Sequence, residues 1–152
     1  MNQTTAGFVV DASVTLKWLI EEEGSEAAMR LRDAELAAPA LMRIEAANVL
    51  RSLVARQEIG ASDAVELLGF LQTAPVLIVE HDDALERAAL ELALMLRHPI
   101  YDCIYLALAQ RMKRTLVTAD KRFIRAIQAS GITTVALALA EMSRDAASKN
   151  EE

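Results

Sequence analysis

One cysteine, three prolines, five glycines and two histidines in 152 residues leave few chemistries open. The lone thiol, Cys103, cannot close an intramolecular disulfide, which fits a reducing compartment. It follows Asp102 in an apolar stretch with no basic cluster beside it, so it reads as a buried, inert thiol. His81 and His98 are too few and too isolated for a zinc site. The glycines form neither a phosphate-cradling loop nor a dinucleotide fingerprint. No apolar run approaches the roughly 20 residues that span a bilayer. Met1 to Thr5 lack the basic-then-apolar pattern of a signal peptide. These absences predict a cytoplasmic protein with no membrane association.

Net positive charge is missing too. A balance of −6 argues at first against a nucleic-acid partner, since such proteins usually carry a basic footprint. The distribution is uneven, however. Arg111, Lys113, Arg114, Lys121, Arg122 and Arg125 lie within one short stretch whose single acid is Asp120. Glu21 to Glu35 is correspondingly acidic. A basic rim beside an acidic centre would suit a phosphate chain; on charge alone, a solvated helix face accounts for it equally simply.

What is abundant is apolar residue, at 53%, enough for a real core and far from a disordered composition. The length predicts one domain over residues 1–144, with 145–152 as a frayed tail. Short apolar runs alternate with helical spacing. Strands are predicted at Gly7–Asp11, Leu36–Ala38, Val76–Val79, Thr115–Thr118 and Thr133–Ala136. Helices are predicted at Ser13–Glu22, Ser25–Asp33, Ala40–Gln57, Asp63–Gln72, a stretch from Asp82 or Asp83 to Leu96, Asp102–Lys113 and Lys121–Ser130. Gly60 is the expected left-handed stop of the third helix and Ser62 the cap of the fourth. Trp18 and Met29 are expected in or near the core. The alternation predicts an α/β fold, a parallel sheet of about five strands with helices on both faces.

Asp11 and Asp120 then fall at the carboxyl ends of strands, where open parallel sheets bind ligands. Asp102 opens a helix after Pro99. Singly, each aspartate reads as an N-cap. Glu45 does not, because it lies mid-helix. Its row, Leu41, Glu45, Asn48 and Ser52, is polar in the middle, beside an apolar row of Met42, Ala46, Val49 and Leu53. Two carboxylates 4 Å apart repel by about 4 kcal/mol at an effective dielectric of 20, so folding alone gives little reason to gather four. A hard divalent cation does. Mg²⁺ or Mn²⁺ would turn the repulsion into coordination, with one ion or two, and retained water is a nucleophile for phosphodiester cleavage. The hydroxyls of Ser13 and Thr118 could orient a ligand or a water; local capping explains both as simply.

Four segments carry a resemblance. They are Asp11-Ala12-Ser13-Val14 with Lys17-Trp18, Arg43-Ile44-Glu45-Ala46-Ala47-Asn48-Val49-Leu50, Tyr101-Asp102-Cys103-Ile104-Tyr105-Leu106-Ala107-Leu108-Ala109, and Leu116-Val117-Thr118-Ala119-Asp120-Lys121-Arg122-Phe123. In this order the chain resembles the PIN-domain ribonucleases from about Phe8 to Ala136, and within them the VapC-type toxins of toxin–antitoxin pairs. The resemblance implies a PIN-like three-layer sandwich and Mg²⁺- or Mn²⁺-dependent endonucleolytic cutting of RNA. It also implies a homodimer and an antitoxin protein that plugs the site. On the same basis Asp11, Glu45, Asp102 and Asp120 carry over as catalytic metal ligands. A non-catalytic module that holds metal or RNA is the alternative. A phosphatase of the haloacid-dehalogenase type would want a second aspartate where Ser13 stands, and a receiver domain would want an adjacent acidic pair before its phosphorylated aspartate.

Overall fold

The computed structural model describes residues 7–134 and 136–142; the expected tail lies outside them. Five strands form one fully parallel sheet: β1 (Phe8–Val10), β2 (Leu36–Pro39), β3 (Leu77–Val79), β4 (Thr115–Thr118) and β5 (Ala136–Ala138), in the order β3-β2-β1-β4-β5. The helices are α1 (Ala12–Thr15), α2 (Ser25–Leu31), α3 (Leu41–Ala55), α4 (Ala61–Gln72), α5 (Asp83–Leu96), α6 (Ile100–Met112) and α7 (Lys121–Ser130).

Side chains alternate across the sheet, as strand geometry dictates. Val9, Ala37 and Leu116 point into the larger core, which α3, α5, α6 and α7 also fill. Val10, Leu36 and Val117 point the other way, into a smaller core with Val14, Ala28 and Leu31. Helices therefore cover both faces. α6 sits deepest, with Cys103 through Ala109 all buried. Among the described residues no single helix is long and apolar enough to cross a membrane.

The departures from the sequence reading have local causes. The helix expected from Ser13 to Glu22 is only the short α1 followed by a 3-10 turn, Leu16–Trp18. The Ser13 hydroxyl, inside α1, bonds Asp11 and accepts from the distant Ala119 N–H, which competes with continuation as a regular helix. α3 is stopped by Gln57, at φ 61°, while Gly60 is extended and leads into α4. The cap of α4 is Gly60, whose N–H donates to Asp63 at 3.3 Å, and Ser62 lies inside the helix. In α3 the buried row is Met42, Ala46, Leu50 and Leu53; Val49 is exposed, as is Met29 in α2. Of the strand expected at Thr133–Ala136, Val135 lies outside the described residues; β5 is described over Ala136–Ala138, which pair with Leu116, Val117 and Thr118 of β4. Alanine has little strand preference of its own, so pairing decides.

Candidate active site

β1 leads out to one edge of the sheet through β2 and β3, and β4 to the other through β5. The order reverses between β1 and β4, which leaves a crevice beyond their carboxyl ends. Asp11 follows β1 directly, and Asp120 stands two residues past β4. α3 and α6 pass over the same edge, bringing Glu45 and Asp102. All four carboxylates line one cavity of 560 Å³, with Ser13, Asn48, Tyr101 and Tyr105.

Asp11 is the most enclosed of them. It caps α1, accepting from the Val14 N–H at 3.3 Å, and accepts from the Ser13 Oγ at 2.5 Å. Burial raises its pKa to about 6, against the lowering effect of bonds from Ser13, Thr118 and Val14; the Asp102 charge raises it further. Ser13 does more than cap. Its Oγ also accepts from the Ala119 N–H at 2.9 Å, fastening α1 to the β4–α7 corner. Thr118, fully buried, accepts from the Asp120 N–H at 3.0 Å. The two hydroxyls fix the spacing between Asp11 and Asp120.

Glu45 is half-buried and accepts a hydrogen bond from the Tyr105 hydroxyl at 2.5 Å. Burial raises its pKa, the tyrosine bond opposes this, and Asp102 adds to the rise. Tyr105 is itself 1% exposed, and burial together with the Glu45 charge pushes its hydroxyl far above the usual phenol range. It stays a neutral donor. Asp102 is the third residue of α6, since the helix begins at Ile100 directly after Pro99. It is therefore no cap. Its Oδ2 lies 2.6 Å from His98 Nε2, and the imidazole packs at 4.7 Å on the Phe123 ring. Asp120 caps α7, accepting from the N–H groups of Arg122 at 3.0 Å and Phe123 at 3.2 Å.

Two partners escaped the sequence reading. Tyr105 stands three residues after Asp102 within α6, a spacing that puts both on one side of the helix, whereas His98 precedes the extended Pro99 and no helical spacing announces it. For Tyr105 that periodicity was the available signal. Cys103 is buried as expected, its thiol pushed up to about 11 by burial and the neighbouring Asp102 charge.

By chemistry the donors suit a hard divalent ion: four carboxylates, with no imidazole or thiol in the cavity wall. Burial and a neighbouring negative charge make ionisation of such a carboxylate more costly, and a bound cation would offset that cost. By position they are not yet gathered. Among the described residues no group of three or more His, Cys, Asp or Glu side chains is arranged to hold a metal ion. Each carboxylate is instead committed to a neighbour.

A family model described as the PIN domain matches residues 8–128. No curated protein matches the chain. Among solved structures, PAE2754 from Pyrobaculum aerophilum is 20% identical, with 95% of this chain and 94% of that one covered at a TM-score of 0.69. VapC20 from Mycobacterium tuberculosis, described as a sarcin-ricin loop cleaving toxin, is 19% identical over 84% of this chain and 98% of that one, at 0.61. VapBC2 from Rickettsia felis, solved on a promoter DNA fragment, is 11% identical over 87% and 98%, at 0.63. At these identities the likeness is one of fold.

Proposed function

The chain belongs to the PIN-domain family, and from that premise we propose that it is a Mg²⁺- or Mn²⁺-dependent endoribonuclease acting as the toxin of a toxin–antitoxin pair. One observation carries the reading. Four acidic side chains from separate parts of the chain line a single cavity at the switch point of a parallel sheet. The Asp102 charge presses on Asp11 and on Glu45, a cost that folding alone does not repay and that a cation would relieve. VapC20, which shares the fold, is described as a sarcin-ricin loop cleaving toxin, which supports a nuclease reading. A further neighbour of this fold, from Klebsiella pneumoniae, is described as a toxin–antitoxin complex, which supports a cognate antitoxin as partner.

Asp11, Glu45, Asp102 and Asp120 are the residues that would hold the cation. Bound there, it supplies charge neutralisation at the scissile phosphate and a more acidic water. The protein's own contribution is placement. Ser13 and Thr118 hold Asp11 and Asp120 at one corner, Tyr105 holds Glu45, and His98 holds Asp102. These bonds engage Oδ1 of Asp11, Oε1 of Glu45, Oδ2 of Asp102 and Oδ1 of Asp120, and the second oxygen of each carboxylate is the one that would turn to the cation. Homodimerisation and a cytoplasmic setting complete the proposal.

The test is cleavage of total cellular RNA by antitoxin-free protein, with Mg²⁺ or Mn²⁺ present or chelated and new ends mapped by sequencing. Discrete ends that require both the cation and Asp102, judged against Asp102→Asn, are expected. Cleavage unchanged in Asp102→Asn would sink the assignment. Metal and RNA binding without new ends would favour the non-catalytic module.

A further inference from the structure

The start of α3 is held from outside the helix. The position that would ordinarily offer a capping side chain is Ala40, which has none to give. Its first turn holds no acidic residue, and Arg43 stands there instead. Aspartates cap α1 and α7, and the first turns of α2, α4, α5 and α6 carry acids. Of α1 to α7, only α3 has neither. The first N–H groups of a helix find no partner within it. Here two of them go to the chain at the end of β3. The Ala40 N–H donates to the Val79 carbonyl at 2.9 Å, and the Leu41 N–H to His81 Nε2 at 3.1 Å. The first is a backbone bond, so any residue at position 79 supplies its acceptor. The second depends on the imidazole, whose Nε2 accepts only in the neutral ring with the proton on Nδ1. A side chain 40 positions further along the chain thus replaces the missing cap.

What hangs on this bond is one wall of the acidic cavity. Leu41, whose N–H His81 holds, lines it, and so do Ile44, Glu45, Asn48 and Val49 of the same helix. Glu45 lies about one turn beyond the bond. A frayed first turn would leave Glu45 at the helix end, free to drift from the sheet edge that holds Asp11 and Asp120. The kind of cap matters as well. Aspartate, the common choice, would set another carboxylate about a turn from Glu45, whose ionisation burial and the Asp102 charge already oppose. An imidazole accepts the same bond without adding charge. We propose that His81 is a positioning residue for Glu45, a neutral cap that fixes the α3 wall at the distance a shared cation requires. The proposal rests on the cation reading of this cavity.

Amide hydrogen exchange in EDTA and calorimetric titration with Mn²⁺ test this in the full chain. His81→Phe keeps a ring and removes the acceptor, whereas the Gln of His81→Gln is long enough to bring an oxygen to the place of Nε2. Exchange at the Leu41 amide should quicken by about tenfold in His81→Phe, the factor for one lost hydrogen bond. Mn²⁺ affinity should fall by about tenfold, the lower end of what orienting partners contribute. His81→Gln should restore both. His81→Ala, with the same expectations as His81→Phe, stands in should the larger ring prevent folding. Asp82→Ala separates positioning from general loss of stability, because Asp82 caps α5, none of whose residues lines the cavity. That variant should lower Tm by at least about 2 °C and leave Mn²⁺ affinity unchanged. Wild-type Mn²⁺ affinity in His81→Phe, whatever its exchange rates, overturns the proposal and leaves the cation reading standing. An equal loss of affinity in Asp82→Ala overturns it too, since His81 would then act through stability alone. Wild-type protein that binds no Mn²⁺ overturns the cation reading and the proposal together.

Discussion

At neutral pH a carboxyl group with a pKa of about 6 is mostly ionised, and Asp11 must bear that charge while 9% exposed. Its pKa is raised on folding, from an ordinary 3.8 to about 6. Between those values the folded chain keeps a proton that the unfolded chain has released. Stability of the cation-free protein therefore falls as pH rises through this window, by at most about 3 kcal/mol from this one group. Glu45, also raised by burial, acts with the same sign. Urea unfolding in EDTA from pH 4 to 8 should show this decline in the wild type and a flatter profile in Asp11→Asn. Identical profiles would mean that Asp11 is not the source. His98 gives a second test at this scale. Its bond fixes Asp102 Oδ2, and partners that orient a ligand typically contribute 10–100-fold to metal affinity. His98→Ala should weaken Mn²⁺ binding by about that factor in calorimetric titration, and His98→Asn, which keeps a donor, should recover part of it. Equal Mn²⁺ affinity in all three proteins would reduce the imidazole to packing on Phe123.

The elements show how function and capping share residues. Asp120 closes the first turn of α7 with two N–H bonds, which is why sequence could read it as a cap and a ligand at once. The two roles separate by substitution. Asn caps about as well as Asp, whereas Ala forfeits about 1 kcal/mol. Asp120→Asn should unfold within about 0.5 kcal/mol of wild type yet lose RNA cleavage, and Asp120→Ala should lose both. Full cleavage by a well-folded Asp120→Asn protein would leave capping as the residue's whole role. Elements were legible where local chemistry governs them. Phe8-Val9-Val10 and Leu116-Val117-Thr118 read as strands because β-branched runs have few other solutions. Legibility failed where a long-range bond intervened. Ser13 reaches Ala119, 106 positions away, and no local pattern foretells that α1 will end after four residues. Nor does spacing reveal that Gln57, not Gly60, turns left-handed.

In the whole molecule, sequence order placed Asp11 and Asp120 at strand ends but could not say that β1 and β4 are neighbours. That adjacency comes from the order β3-β2-β1-β4-β5, and it turns separate acids into one cavity. The side-chain commitments were equally hidden, because Tyr105 to Glu45 spans 60 positions. The same topology makes cation binding a property of the entire fold. The four acids belong to the β1–α1 junction, α3, α6 and the β4–α7 junction, so an ion held among them would tie α3 and α6 to the sheet edge. Anything that binds the folded state alone stabilises it, by about 2.7 kcal/mol at a hundredfold excess over Kd. For a domain of this size that is roughly 5–10 °C in Tm. Scanning calorimetry at pH 7.5 should therefore show a rise of this order with Mn²⁺ over EDTA. The rise should shrink near pH 5, where Asp11 must first release its proton, and vanish in Asp102→Asn. That variant should also gain stability in EDTA, since the charge pressing on both Asp11 and Glu45 is gone. A wild-type Tm that ignores Mn²⁺ would mean that the carboxylates do not converge on a cation. The repulsion among them would then be left without the compensation on which the reading of this cavity depends.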